Sequence, residues 1–164
     1  MSGVGMKTIA QEDYTSSFFQ LLRETFEGPP PDTGSAYLDK GGGLFQTLEP
    51  LTAEAASASA RPDAATIAAH CEHVRFYVMA LYELMRGATG KIDWEQSWLV
   101  KTVTPAEWDD LKENLRRAYA TVAEHLRTVE HWGDEEIGDG MAILMHTAYH
   151  LGAIRQLARA LGPA

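Results

Sequence analysis

The chain has 164 residues, enough for one domain with a proper core, and its 45 % apolar and 23 % charged content is ordinary for a soluble globular protein. Fourteen Lys and Arg stand against 23 Asp and Glu, a formal charge of −9 with no local basic cluster, which argues against nucleic acid as a partner. No run approaches the roughly 18 apolar residues of a membrane-spanning helix, residues 1–10 lack the apolar core of a signal peptide, and the single Cys71 forms no internal disulfide, so a cytoplasmic protein is expected.

Residues 1–11 read as a flexible tail and 12–164 as one domain. Asp13 to Glu27 is a predicted helix, because Tyr14, Phe18, Leu21, Leu22 and Phe26 recur at helical spacing and Gly28-Pro29-Pro30-Pro31 stops it. Residues 28–62 form a long connection, with short helical turns expected at Leu44 to Leu48 and Leu51 to Ala56. A connection of this length inside a compact domain is usually functional or packed over something.

Arg61-Pro62-Asp63 opens a second long helix, with Asp63 as candidate N-cap and Gly87 as its end. Ile67, His70, Val74, Tyr77, Val78, Leu81, Leu84 and Met85 form its apolar stripe, which places His70 toward the core. His73 sits nearer the edge of that stripe, and Cys71 points off it. Residues 87–104 connect onward, and two tryptophans, Trp94 and Trp98, imply a connection folded down on the helices. Thr104-Pro105-Ala106-Glu107 is a capping box with proline at the first helical position. The third long helix runs to about His131, with Trp108, Leu111, Leu115, Tyr119 (or Ala118), Val122, Leu126 and Val129 on one face. Gly133 breaks the chain, and Asp134 or Asp139 caps a fourth helix that ends before Gly162-Pro163. Four long helices and no strand pattern predict an all-α four-helix bundle with long crossover connections.

His146 and His150 stand at i and i+4 on the last helix, so both imidazoles reach one point beside it. A divalent ion uses that geometry, but needs a third ligand. His70 supplies one if the second and fourth helices are neighbours running roughly parallel, which requires a crossover. Three neutral imidazoles with an open position match a catalytic metal site, and imidazole does not select the metal. His73 is an alternative ligand, an orienting donor or a rim residue. His125 and His131 fall late in their helix, where histidine meets solvent and the helix dipole. Cys71 reads as a small buried residue, Tyr77 and Tyr149 as packing residues in preference to site-lining hydroxyls, and Arg155 as an ion-pairing residue in preference to a substrate clamp. Gly152 reads as a point of close helix approach.

The segments Thr66-Ile67-Ala68-Ala69-His70-Cys71-Glu72-His73 and His146-Thr147-Ala148-Tyr149-His150-Leu151-Gly152-Ala153-Ile154-Arg155 resemble the DinB-like (YfiT-related) superfamily of four-helix-bundle metalloenzymes. The resemblance covers nearly the whole chain after residue 12, including the order of helices and the tryptophan-bearing connection. It implies a metal held by His70, His146 and His150, nickel or zinc as the ion, and often a homodimer. It also implies a reaction class: a thiol-dependent transferase using a low-molecular-weight thiol, or a hydrolase activating water. No catalytic residue is assigned beyond the metal centre. The alternative is a non-catalytic, stress-related metal-binding or interaction bundle.

Overall fold

In the computed structural model, residues 8–32 and 34–161 are described, and every regular element among them is helical. These elements are α1 (Gln11–Glu27), α2 (Leu44–Leu48), α3 (Ala53–Ser57), α4 (Ile67–Met85), a 3-10 turn (Trp94–Trp98), α5 (Pro105–Thr128) and α6 (Asp134–Leu161). Of the stretch expected to be a tail, residues 1–7 lie outside the described residues, and Gln11 already opens α1. Its amide side chain donates to the Glu130 carbonyl and its side-chain oxygen accepts from the Trp132 N–H. No helix among the described residues is long and apolar enough to cross a membrane.

The caps explain the boundaries. Thr104 and Glu107 bond reciprocally at the start of α5, as the sequence implies. The second long helix starts later than expected. Thr66, and not Asp63, caps α4 by accepting from the Ala69 N–H, while Asp63 lies in the left-handed region at φ 62°. Gly87 follows α4 at φ 86°, a conformation that glycine adopts without a Cβ clash.

Helix directions follow from which residues meet. Thr66 Oγ1 donates to the Lys101 carbonyl at one end of α4, and Tyr82 packs edge-on against His125 at the other, so α4 and α5 run parallel. His70 meets His150 and Tyr77 meets His146, so α4 and α6 run antiparallel. Glu27 accepts from the Tyr119 hydroxyl, and Gln11 meets Glu130, so α1 opposes α5. The crossover therefore joins α4 to α5. The expectation that α4 and α6 run parallel is corrected, because the short connection after α5 reverses the chain once the crossover has kept α5 parallel to α4.

The crossover, residues 86–104, returns along α4. Trp94 packs on Phe76 and Tyr77, and Trp98 packs on His70 and His73. As a result α4 is covered by α3, α5, α6 and the 3-10 turn. Its buried set is Ile67, Ala68, Ala69, Cys71, His73, Val74, Val78 and Leu81. The true stripe is thus turned toward Cys71 and His73, and Cys71 is 1 % exposed within the core. A one-stripe reading fails for a helix covered on several sides.

The connection 28–66 wraps the end where α1 finishes and α4 begins. It is anchored by Glu24, a carboxylate that is 1 % exposed and accepts the N–H groups of Ala36, Tyr37 and Leu38 at 2.7, 2.8 and 2.6 Å. Burial acts to raise the Glu24 pKa, but the three backbone donors outweigh it and leave the net value lowered. Glu24→Gln turns one acceptor into a donor and leaves a buried N–H facing an amide. The expected loss is about 1–3 kcal/mol near pH 7 by urea denaturation. A depressed carboxylate pKa stabilises the fold fully above its unfolded value and loses that contribution as pH falls through the folded value. The gap between wild type and Glu24→Gln should therefore shrink below about pH 4.5. A gap independent of pH between 7 and 3 would refute this anchor.

Candidate metal centre

The seam between α4 and α6 gathers four imidazoles. His70 and His73 lie at i and i+3 on α4, and His146 and His150 at i and i+4 on α6. Because the helices are antiparallel, His73 meets His146 and His70 meets His150. His73 Nε2 lies 3.0 Å from His146 Nε2, and His70 Nδ1 lies 2.9 Å from His150 Nδ1.

The ring nitrogens of His73, His146 and His150 all lie within 4.8 Å of one another, and this set can hold a metal ion. It is the only such group among the described residues. His146 and His150 come together as the i, i+4 spacing implies. The α4 member of the set is His73. His70 is half-buried and pairs its ring nitrogen with His150 alone, whereas His73 is 9 % exposed. The expectation that placed His70 inward and His73 at the edge is reversed by the rotation of the buried face of α4.

Ser97, in the 3-10 turn and fully buried, fixes the His73 tautomer. Its hydroxyl proton is given to the Trp94 carbonyl at 2.6 Å. It can therefore only accept from His73, so His73 Nδ1–H donates to Ser97 Oγ at 2.7 Å. A neutral imidazole then carries a bare lone pair on Nε2, the atom that faces His146. The ring planes are also held. Tyr77 stacks on His146 at 3.7 Å between centroids and 9°, and Trp98 on His73 at 4.0 Å and 19°.

The donor set fits a divalent ion. Two nitrogens bonded to one tetrahedral ion at about 2.1 Å lie roughly 3.4 Å apart, close to the His73–His146 spacing. Two lone pairs at 3.0 Å repel unless a proton or a cation lies between them. His146 Nδ1 is buried without a hydrogen-bond partner, so the cluster also carries one polar atom that the protein leaves unmatched.

All four rings favour the neutral, ligating form. Burial lowers the His150 pKa to about 3, helped by His146, His70 and His73, and lowers that of His146 to about 4, helped by His73. Burial lowers His73 as well, and lowers His70 together with the charge of His73. Cys71, adjacent in sequence, is no nucleophile, because burial pushes its thiol far up. Asp139 lies seven residues before His146, two turns or about 10 Å along α6, and its charge, after burial, helps to raise the pKa of Tyr77, the ring stacked on His146.

Trp98 also walls a cavity of about 390 Å³, whose lining includes Thr66, Ala69, Lys101 and Asp63. None of the four histidines lines it, and Trp98 both lines it and stacks on His73. Ser97 is the site residue that the sequence did not single out, and Tyr77, weighed there as packing or as a site-lining hydroxyl, acts through its ring face. The helical spacing of Tyr77 and His73 is a visible signal for Tyr77, but Ser97 carries none. Gly152, read as a close-approach point, meets no atom of this chain within 4 Å of an added Cβ.

No family model, curated protein or solved structure matches this chain.

In metal-free protein at neutral pH, nitrogen NMR of His73 should show a protonated Nδ1 and a bare Nε2. Ser97→Ala should release that preference toward the Nε2–H tautomer common in free imidazole. Protonation of His73 at Nε2 in the wild type would overturn the assignment of Ser97 as an acceptor.

Proposed function

We propose that this chain is a divalent-metal-dependent enzyme of the DinB-like type, a four-helix bundle with long crossover connections whose three-histidine centre activates a low-molecular-weight thiol or water. The observation that carries this reading is the convergence of the nitrogens of His73, His146 and His150 within 4.8 Å, with no carboxylate or thiol in the set. Three neutral imidazoles leave one position of a four-coordinate ion free, the arrangement of catalytic sites as opposed to closed structural ones. Nickel and zinc both suit imidazole donors. When bound, such an ion supplies Lewis acidity that lowers the pKa of a thiol or water beside it.

In this reading the chain supplies positioning. Ser97 turns His73 Nε2 inward, Tyr77 and Trp98 hold two rings by their faces, and Trp98 shields one side from water. His70 occupies His150 Nδ1 and so orients that ring with its Nε2 toward the site. Hydrolysis calls for a general base within hydrogen-bond reach, and no carboxylate joins the histidines among the described residues. Thiol transfer needs no separate base once the thiol is ionised, and is the favoured class.

A second reading has its own observation. Each facing pair of nitrogens is also satisfied by one shared proton, so the cluster can stand as a polar core of a non-catalytic bundle.

Metal analysis of protein purified without an immobilised-metal tag separates the two. Wild type should carry about one equivalent, His73→Ala and His146→Ala should lose it, and His70→Ala should retain it with affinity reduced about 10–100-fold. Less than about a tenth of an equivalent in wild type would sink the enzyme reading. Loss in His70→Ala with retention in His73→Ala would return the third ligand to His70. Loaded protein should then turn over a chromophoric transferase substrate with one of several low-molecular-weight thiols, and activity with water alone would favour hydrolysis.

A further inference from the structure

The cavity beside Trp98 is lined by polar groups that the fold itself does not use. Its volume of about 390 Å³ falls near the small end of the range for small-molecule sites, roughly 300–1,000 Å³. It lies where the 57–65 segment, the start of α4 and residues 98–102 of the crossover come together.

Three of its hydroxyls are spent on the walls. Ser57 donates to the Val103 carbonyl and accepts the Val103 N–H. Ser59 donates toward the Arg61 and Ala64 carbonyls. Thr66 donates to the Lys101 carbonyl and accepts the Ala69 N–H. Asp63, Lys101 and Thr102 also line the cavity, and all three are exposed. None of them takes part in these side-chain bonds, and neither charge joins an ion pair among the described residues.

Asp63 carries a second signal. Its φ of 62° is left-handed, a conformation that costs a non-glycine residue free energy. Aspartate tolerates it best when its side chain bonds the nearby backbone. Here that work falls to Ser59 and Thr66, so the carboxylate at position 63 has no partner in its own loop.

Ala64, Ala65, Ala69 and Trp98 supply the apolar wall, and stacking on His73 holds the Trp98 ring. The cavity therefore combines one anion, one cation, one hydroxyl and an apolar surface. A ligand bearing only a carboxylate would meet Asp63 as a like charge, and one bearing only an amine would meet Lys101 so. A molecule carrying both charges satisfies the two together.

We propose that this cavity binds a zwitterionic, amino-acid-like small molecule. Its ammonium would meet Asp63, its carboxylate Lys101 and Thr102, and its apolar side group the Trp98 wall. The proposal is independent of whether the histidines hold a metal.

Isothermal titration calorimetry of the full chain tests it, with L-phenylalanine as the probe. One equivalent should bind with a Kd of about 1 mM or tighter. The analogues 2-phenylethylamine, without the carboxylate, and 3-phenylpropanoate, without the ammonium, should bind at least about tenfold more weakly. Lys101→Met should weaken L-phenylalanine by about tenfold and leave 2-phenylethylamine unaffected. Asp63→Asn keeps a residue that tolerates the left-handed backbone. It should weaken L-phenylalanine to a similar extent and should not weaken 3-phenylpropanoate. Both variants should keep the wild-type helical circular dichroism, and chelator treatment should leave binding unchanged. No binding of L-phenylalanine up to about 20 mM would overturn the proposal. So would equal affinity for the singly charged analogues, wild-type affinity in both variants, or loss of binding on chelation.

Discussion

Two imidazole nitrogens cannot face each other at 3 Å with both lone pairs bare. The seam between α4 and α6 contains two such pairs, His73 with His146 and His70 with His150, and something positive must sit in each. Burial makes a whole extra proton costly there, since it penalises the charged rings. The remaining options are a shared proton on neutral rings or a metal ion. Much of the local structure serves that choice. Ser97 sets a tautomer, Tyr77 and Trp98 set ring planes, and the antiparallel packing sets which histidines meet.

That packing depends in turn on the crossover. Because α4 and α5 run parallel, the chain must travel back the length of α4 before α5 can begin. The returning segment is not idle spacer. It lays Trp94, Ser97 and Trp98 on the histidine-bearing face and is tied at its far end by Thr66 to Lys101 and by Ser57 to Val103. Topology and site are thus one arrangement: the same segment that keeps α5 parallel to α4 also closes one side of the imidazole cluster.

The long helices are legible in the sequence because apolar spacing, proline stops and the Thr104–Glu107 box are local signals. The His146/His150 pair is legible for the same reason, since i and i+4 lie on one face of any helix. The member from α4 is not. Which of His70 and His73 turns inward depends on how α4 is rotated among four neighbours, and a stripe assumes only one covered side. The direction of α4 relative to α6 is equally hidden, because either long connection could have been the crossover. Ser97 acts through a tertiary contact across 24 positions, with no spacing rule to announce it.

The sequence distance across the seam has its own consequence. His73 and His146 are 73 positions apart, and His70 and His150 are 80. An ion held between His73 and His146 would be a clasp on a loop that spans nearly half the chain. Closing so long a loop removes conformational freedom from the unfolded chain, and the cost grows only slowly with length, as for a disulfide. The clasp would therefore act on the whole fold at once, joining the first half of the protein to its last helix, and not merely stiffen the turn of helix on either side of it.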